Sequence, residues 1–317
     1  MYNNYLIIDN IKLENITDIK KIARDKGLYI DSIEHISLSR NNIKSIEDYS
    51  VFPNLLSLTI DENDIRKIEN LDHLQQLEEL SLLKNRIERI EGLDRLANLK
   101  KLELASNRIE RIENLDELAS LQILHIPQNP VRAIENVGHL ESLIELELSN
   151  TKIDKIRGLE GLASLKGLHL SHTPIKRIEN LEPVSQLVDL SLVFTGIRRI
   201  ENLEALDLGY LYLDGNKLET IEGLESQATL EVLHLSGNRL KSIEQLEHNP
   251  CLESLHIANN RIKSLKGIEN LHELTYIQAR GNPLPRAALQ AIDEFNKGYG
   301  FPCEHDEKLR EIVRMTL

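Results

Sequence analysis

Apolar and polar positions follow one template, L-x-x-L-x-L-x-x-N-x-I-x-x-I, that recurs every 22 residues from Ile33 to Leu284. Its ninth position falls at Asn41, Asn63, Asn85, Asn107, Asn129, Thr151, Thr173, Thr195, Asn216, Asn238, Asn260 and Asn282. Every step is 22 residues except Thr195 to Asn216, which is 21. Within one copy, Leu99, Leu102 and Leu104 read as the inward face of a short strand, with Lys101, Glu103 and Ala105 toward solvent. Asn107 ends the strand, where its carboxamide can satisfy backbone groups of the turn and of the neighbouring copy. Ile109 and Ile112 return to the core, and the spacing of Leu115 and Leu118 predicts a short helical turn on the far side. One copy cannot bury its own apolar face, so the twelve copies must stack.

The expected architecture is an α/β solenoid, a right-handed horseshoe of twelve repeats. Its parallel sheet lines the concave face and short helical turns the convex face. Residues 1–31 form an N-terminal cap, 32–284 the repeats, and 285–317 a helical C-terminal cap. In the first cap, Tyr5 to Leu13 reads as a strand, followed by a helix bearing Ile19, Ile22 and Ala23, capped by Asn15 or Thr17 and stopped by Gly27. In the second, Pro285 opens a helix with Leu289, Ile292 and Phe295 on one face, broken by Gly298 and Gly300. A further amphipathic helix is expected from Asp306 to Leu317, with Leu309, Ile312, Val313 and Met315 facing the repeats. Thr151, Thr173 and Thr195 are expected to alter the turns they occupy, because a hydroxyl keeps only part of the carboxamide's bonding.

A net charge of −13 argues against nucleic acid as the main ligand. No stretch is apolar and long enough for membrane insertion. The N-terminus does not read as a signal peptide, and Cys251 and Cys303 make no paired motif, so a reduced cytoplasmic setting is expected. Basic residues such as Arg89, Arg111 and Arg132 precede the last isoleucine of each copy, and glutamates such as Glu91, Glu113 and Glu135 follow it. These rows read as a solvated flank of weak ion pairs.

The outward strand positions are less regular. Phe194, Tyr210, Tyr212 and Tyr276 gather there or just beyond, with His125, His169, His234 and His256. The template does not require aromatic residues at such positions, and their grouping is that of an interface core. With Glu103, Glu145, Glu147 and Asp189 as an acidic shoulder, these twelve residues form the expected partner-binding face. His125, Glu147 and His169 stand at one position on consecutive strands, an alternative site for a divalent metal ion. An open sheet face offers that site no supporting shell, so no metal or other cofactor is expected. The chain has no nucleophile elbow or phosphate-binding loop, and Cys303-Glu304-His305-Asp306 reads as a polar linker. The expected function is non-enzymatic: a scaffold that holds a folded protein.

The units Ile112-Glu-Asn-Leu-Asp-Glu-Leu118 and Ile90-Glu-Gly-Leu-Asp-Arg-Leu96, joined to the 22-residue period, resemble the SDS-type class of leucine-rich repeat. That class is typified by the regulatory subunit of type-one protein phosphatase. The resemblance covers about four fifths of the chain, from Ile33 to Leu284. It implies a concave face that grips a phosphatase catalytic subunit, with Phe194, Tyr210, Tyr212, Tyr276, Glu145, Glu147 and Asp189 in the corresponding positions. The chain departs from that family in having no tryptophan and in its segment after Leu284. Surface internalins also resemble it in their repeats.

Overall fold

The computed structural model describes residues 4–11, 13, 16–297 and 302–317, with the backbone alone for 302–305. By contacts the chain divides into unit 1, residues 1–153 and 157–165, and unit 2, residues 154–156 and 166–317. In unit 1 the strands are β1 (Tyr5–Ile7), β2 (His35–Ser37), β3 (Ser57–Thr59), β4 (Glu79–Ser81), β5 (Lys101–Glu103), β6 (Ile123–His125) and β7 (Glu145–Glu147). Unit 2 holds β8 (Gly167–His169), β9 (Asp189–Ser191), β10 (Tyr210–Tyr212), β11 (Val232–His234), β12 (Ser254–His256) and β13 (Tyr276–Gln278). Within each unit the strands pair in parallel, in chain order and residue for residue, as in Leu102 opposite Leu124 and Leu211 opposite Leu233. Each unit is a parallel β-solenoid, and every strand expected of the template forms where it was expected.

The alternation decides the faces. Leu102, Leu124, Leu190 and Leu233 are buried, while the residues on either side of each are half-exposed. Ile109, Ile112, Leu115 and Leu118 close the core behind the strands. Asn107 shows how the ladder position works. Its Oδ1 accepts the Ile87 N–H at 2.9 Å, and its Nδ2 donates to the carbonyls of Leu82 at 2.9 Å and Leu104 at 3.0 Å. One side chain thus ties together the loops of two copies whose backbone groups have no water to bond. Thr151, Thr173 and Thr195 each donate to the carbonyl three residues back, at 2.8, 2.7 and 3.1 Å. The expected alteration of their turns does not appear in the backbone. The preceding residues Asn150, His172 and Phe194 have φ of 58°, 56° and 50°, close to the 56° of Ser106 and 57° of Gln128.

The far side is made of the short turns expected there. Most connections are single turns closed by one bond, such as Leu118 N–H to the Leu115 carbonyl at 3.0 Å, rather than helices. The cause is a second ladder. Asn70, Asn114, Asn136, Asn180 and Asn202 are left-handed, and each donates to an isoleucine carbonyl of the preceding copy at 2.6–2.8 Å. A left-handed residue ends a helix before it starts. In other copies glycine fills the place, and at Gly223 (φ 97°) a Cβ would lie 2.2 Å from the Ile200 carbonyl oxygen. Gln245 takes no such conformation, and there the chain winds into a five-residue 3-10 helix, Glu244–His248, against three residues at Glu182–Val184 and Ile268–Asn270, which follow the left-handed Asn180 and Gly267.

The short repeat carries its own repair. Normally a leucine N–H closes the far turn on the residue three before it, as Leu99 does on Leu96 at 2.9 Å. The copy after Thr195 lacks one residue between Leu206 and Leu208, so that bond is not made. Instead the Leu208 N–H goes to Oε1 of Gln227 at 3.0 Å. Gln227 Nε2 donates to the carbonyls of Leu203 at 2.8 Å and Leu206 at 3.2 Å. This glutamine, 0% exposed, stands where the template has leucine. Asn249, equally buried and equally out of pattern, donates to the Gln227 carbonyl at 2.8 Å.

At the N-terminal end the expected strand is three residues long. The segment beyond it copies a repeat: Asn10 is left-handed (φ 60°) and the Ile11 N–H bonds Asn41 Oδ1 at 2.8 Å. Helix α1 (Ile16–Asp25) buries Ile19 and Ala23 and ends at Gly27, φ 70°. Thr17 lies inside it and is not its cap, and Asn15 lies outside the described residues. Helix α2 (Arg286–Phe295) follows Pro285 and buries Ala288, Ile292 and Phe295, with Leu289 half-buried. Gly298 and Gly300 lie outside the described residues. Helix α3 (Pro302–Arg314) starts earlier than expected, so the stretch read as a linker, residues 303–306, is its first turn. Leu309, Ile312 and Val313 are buried, and Met315 is half-exposed.

Candidate functional site

Two groups of strand-face residues are brought together, one in each unit. In unit 1, His125 on β6 lies between two carboxylates. Its Nδ1 is 2.9 Å from Glu103 Oε2 on β5, and its Nε2 is 2.9 Å from Glu145 Oε1 on β7. The bond to Glu103 raises its pKa above the usual histidine value, burial opposes that, and Glu145 adds to it. Glu147 is the register partner of His125, yet its Oε1 accepts the Ser149 N–H of its own turn at 2.6 Å. Of the alternative metal trio, His169 belongs to unit 2, and in unit 1 both ring nitrogens of His125 are taken by carboxylates other than Glu147. Among the described residues no group of three or more histidine, cysteine or acidic side chains is placed to hold a metal ion.

In unit 2 a file of rings crosses β10 to β13. Tyr212 meets His234 edge-on at 4.8 Å, His234 stacks on His256 at 3.8 Å, and His256 lies 5.1 Å from Tyr276. Around the file, Tyr210 donates its hydroxyl to Glu231 at 3.0 Å, and His234 Nδ1 is 3.1 Å from Asp214 Oδ2. Glu231, with Glu253 and Asp189 behind it, raises the Tyr210 pKa. Burial lowers the His256 pKa, and the neighbouring His234 lowers it further. Asp189 stands opposite Tyr210 in register, and His169 opposite Ser191.

Phe194 sits just past β9, 57% exposed and 5.0 Å from His172. It occupies the left-handed place before the ladder residue, with φ 50°. Other copies put Gly215, Gly237 or Asn259 there. Its ring lies over Gly215, where an added Cβ would come within 2.3 Å of Phe194 Cδ1.

Asp214 and Glu231 were not among the sequence candidates. Asp214 had a legible signal, an acid two residues before the ladder position. Asp214 Oδ1 accepts the Ser236 N–H at 2.7 Å, as Asp61 Oδ1 accepts that of Leu83 at 2.8 Å. Glu231 precedes its strand and had none.

The two histidines should titrate in opposite directions from the ordinary histidine value of 6.5. His125 binds its proton more tightly folded than unfolded, so its contribution to the stability of unit 1 is full below pH ~6.5 and is lost as pH rises through its raised pKa. His256 binds its proton less tightly folded, so unit 2 loses stability as pH falls below ~6.5. Following the imidazole resonances by NMR checks this, and a His256 midpoint above that of His125 contradicts it.

A family profile described as "Leucine-rich repeat" matches residues 57–135, and one described as "Leucine Rich repeats (2 copies)" matches 228–270. No curated protein matches the sequence. Among solved structures, a leucine-rich repeat protein of Leptospira interrogans is 20% identical, with TM-score 0.76 over 92% of this chain and 88% of that one. An internalin of Listeria monocytogenes is 23% identical, with TM-score 0.66 over 81% and 83%. A chain of the LRIM1/APL1C complex is 24% identical, with TM-score 0.67 over 90% of this chain and 53% of that one. Identities this low speak to the fold, the leucine-rich repeat solenoid that the strand register shows. Among the described residues no helix is long and apolar enough to cross a membrane.

Proposed function

We propose that this leucine-rich repeat protein holds a folded partner protein against the strand face of unit 2, on the file of rings from Tyr212 to Tyr276 and the adjoining Phe194, Tyr210 and Asp189. Phe194 carries the reading. The left-handed backbone is shared with Lys84, Ser106, Gln128 and His172 at the same place, but those side chains are polar, whereas Phe194 holds an apolar ring 57% exposed, which gains nothing for folding. Retention of such a residue beside rings that also face solvent is what a hot spot requires. A similar structure, solved as the LRIM1/APL1C complex, is compatible with this use of the fold. The ring file and its acidic surroundings are the features of a binding face, so the reading is of a binding protein.

The test is capture from native lysate by the intact chain and by a Phe194→Asn, Tyr212→Ala variant, with the captured protein identified and its affinity measured. The variant should bind at least ~30-fold more weakly, the effect of losing a hot spot worth ~2 kcal/mol. Its unfolding midpoint should not fall, since asparagine tolerates the left-handed backbone. Equal affinity for both chains refutes the assignment. The narrower reading, regulation of a phosphatase catalytic subunit, rests on the repeat resemblance alone, and the identity of the captured protein decides it.

A further inference from the structure

The same edge of the repeat is built differently in the two units. In unit 1 most of the cations that follow the ladder residue are paired, with Lys44, Arg66 and Lys152 in no ion pair among the described residues. Arg86 meets Asp64 at 2.6 Å, Arg89 meets Glu113 at 3.0 Å, and Arg111 meets Glu135 at 2.9 Å. Arg108 and Arg132 reach Glu88 and Glu110 at 3.9 Å. In unit 2 the equivalent positions from Lys176 to Lys263 hold nine cations and one acid, Glu219. Arg177 is paired with Glu201 at 3.2 Å. Among the described residues Arg198, Arg199, Lys217, Arg239, Lys241 and Arg261 stand in no ion pair, and all are exposed. Four of them, Arg198, Arg199, Lys217 and Arg239, line a groove of about 500 Å³ together with Thr220.

In a chain of net charge −13, a row of uncompensated cations repeated over several copies is a local reversal of sign. Folding does not need it, because unit 1 solves the same geometry with mostly paired charges. We infer that this edge of unit 2 binds an acidic, extended peptide segment of a partner protein, in the groove between Arg198 and Arg239. Lys217, Arg239 and Arg261 each follow a ladder asparagine in consecutive copies, at about the strand spacing of ~4.8 Å, which gives an extended chain a ladder of anchoring points beside Arg198 and Arg199. Thr220 and the exposed groove backbone offer neutral hydrogen bonds between them.

A nucleic-acid strand fits this groove poorly. Glu219 and Glu222 also line it, and a backbone with a phosphate at every step would meet them. No aromatic side chain lines the groove to stack a base. An acidic peptide places carboxylates at the cations and uncharged residues at the glutamates. This edge is separate from the strand face, so the inference stands or falls apart from the proposed function.

The probe is a fluorescein-labelled dodecapeptide of alternating glutamate and serine, followed by anisotropy with the full chain at about 50 mM salt, where surface charges are weakly screened. Saturable binding is expected, weakening as salt rises. An Arg198→Gln, Lys217→Gln, Arg239→Gln variant should bind at least ~10-fold more weakly, as loss of several charge contacts implies. An Arg86→Gln, Arg108→Gln, Arg132→Gln variant, on the paired edge of unit 1, should change binding less than ~2-fold. A Tyr210→Ala, Tyr212→Ala variant should bind the peptide as the intact chain does, whatever becomes of the strand-face reading. Circular dichroism confirms that the variants, all at exposed or half-exposed positions, remain folded. No saturable binding, or equal weakening by the two arginine-lysine variants, overturns the inference. Tighter binding of an oligothymidylate or of phosphatidylserine vesicles than of the peptide overturns the class of ligand.

Discussion

Replacing Gln227 by leucine, the residue that the repeat template places there, is expected to destabilise unit 2 by about 2–4 kcal/mol. On pattern alone the change should help, since it puts an apolar side chain into an apolar core. The bonds decide otherwise. Leucine leaves the Leu208 N–H and the Leu206 carbonyl without the partners they now have in Gln227, while the Leu203 carbonyl keeps the Leu206 N–H at 3.0 Å. Each buried backbone group stripped of its partner costs ~1–3 kcal/mol, and the added apolar burial returns only ~1–2 kcal/mol. Urea denaturation measures the difference. A second variant tests the cause: one residue inserted between Asp207 and Leu208 restores the 22-residue period. With that insertion, Gln227→Leu should recover most of the lost stability, because the far turn can close on itself again. If the insertion gives no recovery, the glutamine is not there to repair the short repeat.

Asn107→Leu is expected to cost unit 1 about 3–5 kcal/mol, the largest single effect proposed. The carboxamide accepts from Ile87 and donates to Leu82, Leu104 and Ala105, and leucine does none of this. The carbonyls of Leu82, Leu104 and Ala105 keep other donors in Asn85, Asn129 and Lys84, so the buried group left without a partner is the Ile87 N–H of the adjacent copy. The loss therefore falls on the stacking contact that holds a solenoid together. Asn107→Thr should cost much less, about 1–2 kcal/mol, because the hydroxyls of Thr151 and Thr173 keep the bond to the carbonyl three residues back. Thermal or urea unfolding of the two variants side by side gives the ratio. Threonine as damaging as leucine would mean that the ladder acts through shape and not through its hydrogen bonds.

What the sequence discloses follows from which rules have a fixed period. The strand positions and the face that each residue takes were legible from Leu99, Leu102 and Leu104 alone, because alternation in a strand leaves one choice of register. The ladder asparagines were legible for the same reason. The far side was legible in part. The spacing of Leu115 and Leu118 gave the short turn, but the left-handed Asn114 between Ile112 and Leu115, which holds it to a single turn, was not read from the pattern. Gln227 and Asn249 break the apolar pattern, and their meaning depends on a residue missing from another copy. Pairing across the strand face was half legible. His125 and Glu147 stand opposite in register, but Glu147 turns to its own backbone and His125 to Glu103 and Glu145. Side-chain choice among near-equal partners is set by local geometry, which periodicity does not encode.

Phe194 shows the limit from the other direction. Its place on the strand-face edge was readable, while its left-handed backbone and its ring over Gly215 emerge only in the fold. That turn is shared with Ser106, Gln128 and His172, so it is the exposed ring and not the backbone that sets Phe194 apart.

The strand face of unit 2 is tested most directly by placing a photoreactive benzophenone residue at the position of His256 and, in a second protein, at the exposed turn-side position of Glu204. Each is irradiated in native lysate, and cross-linked products are resolved by mass. The partner should cross-link from position 256 and not from 204. Cross-linking from 204 with none from 256 would place the partner on the turn side and contradict the account.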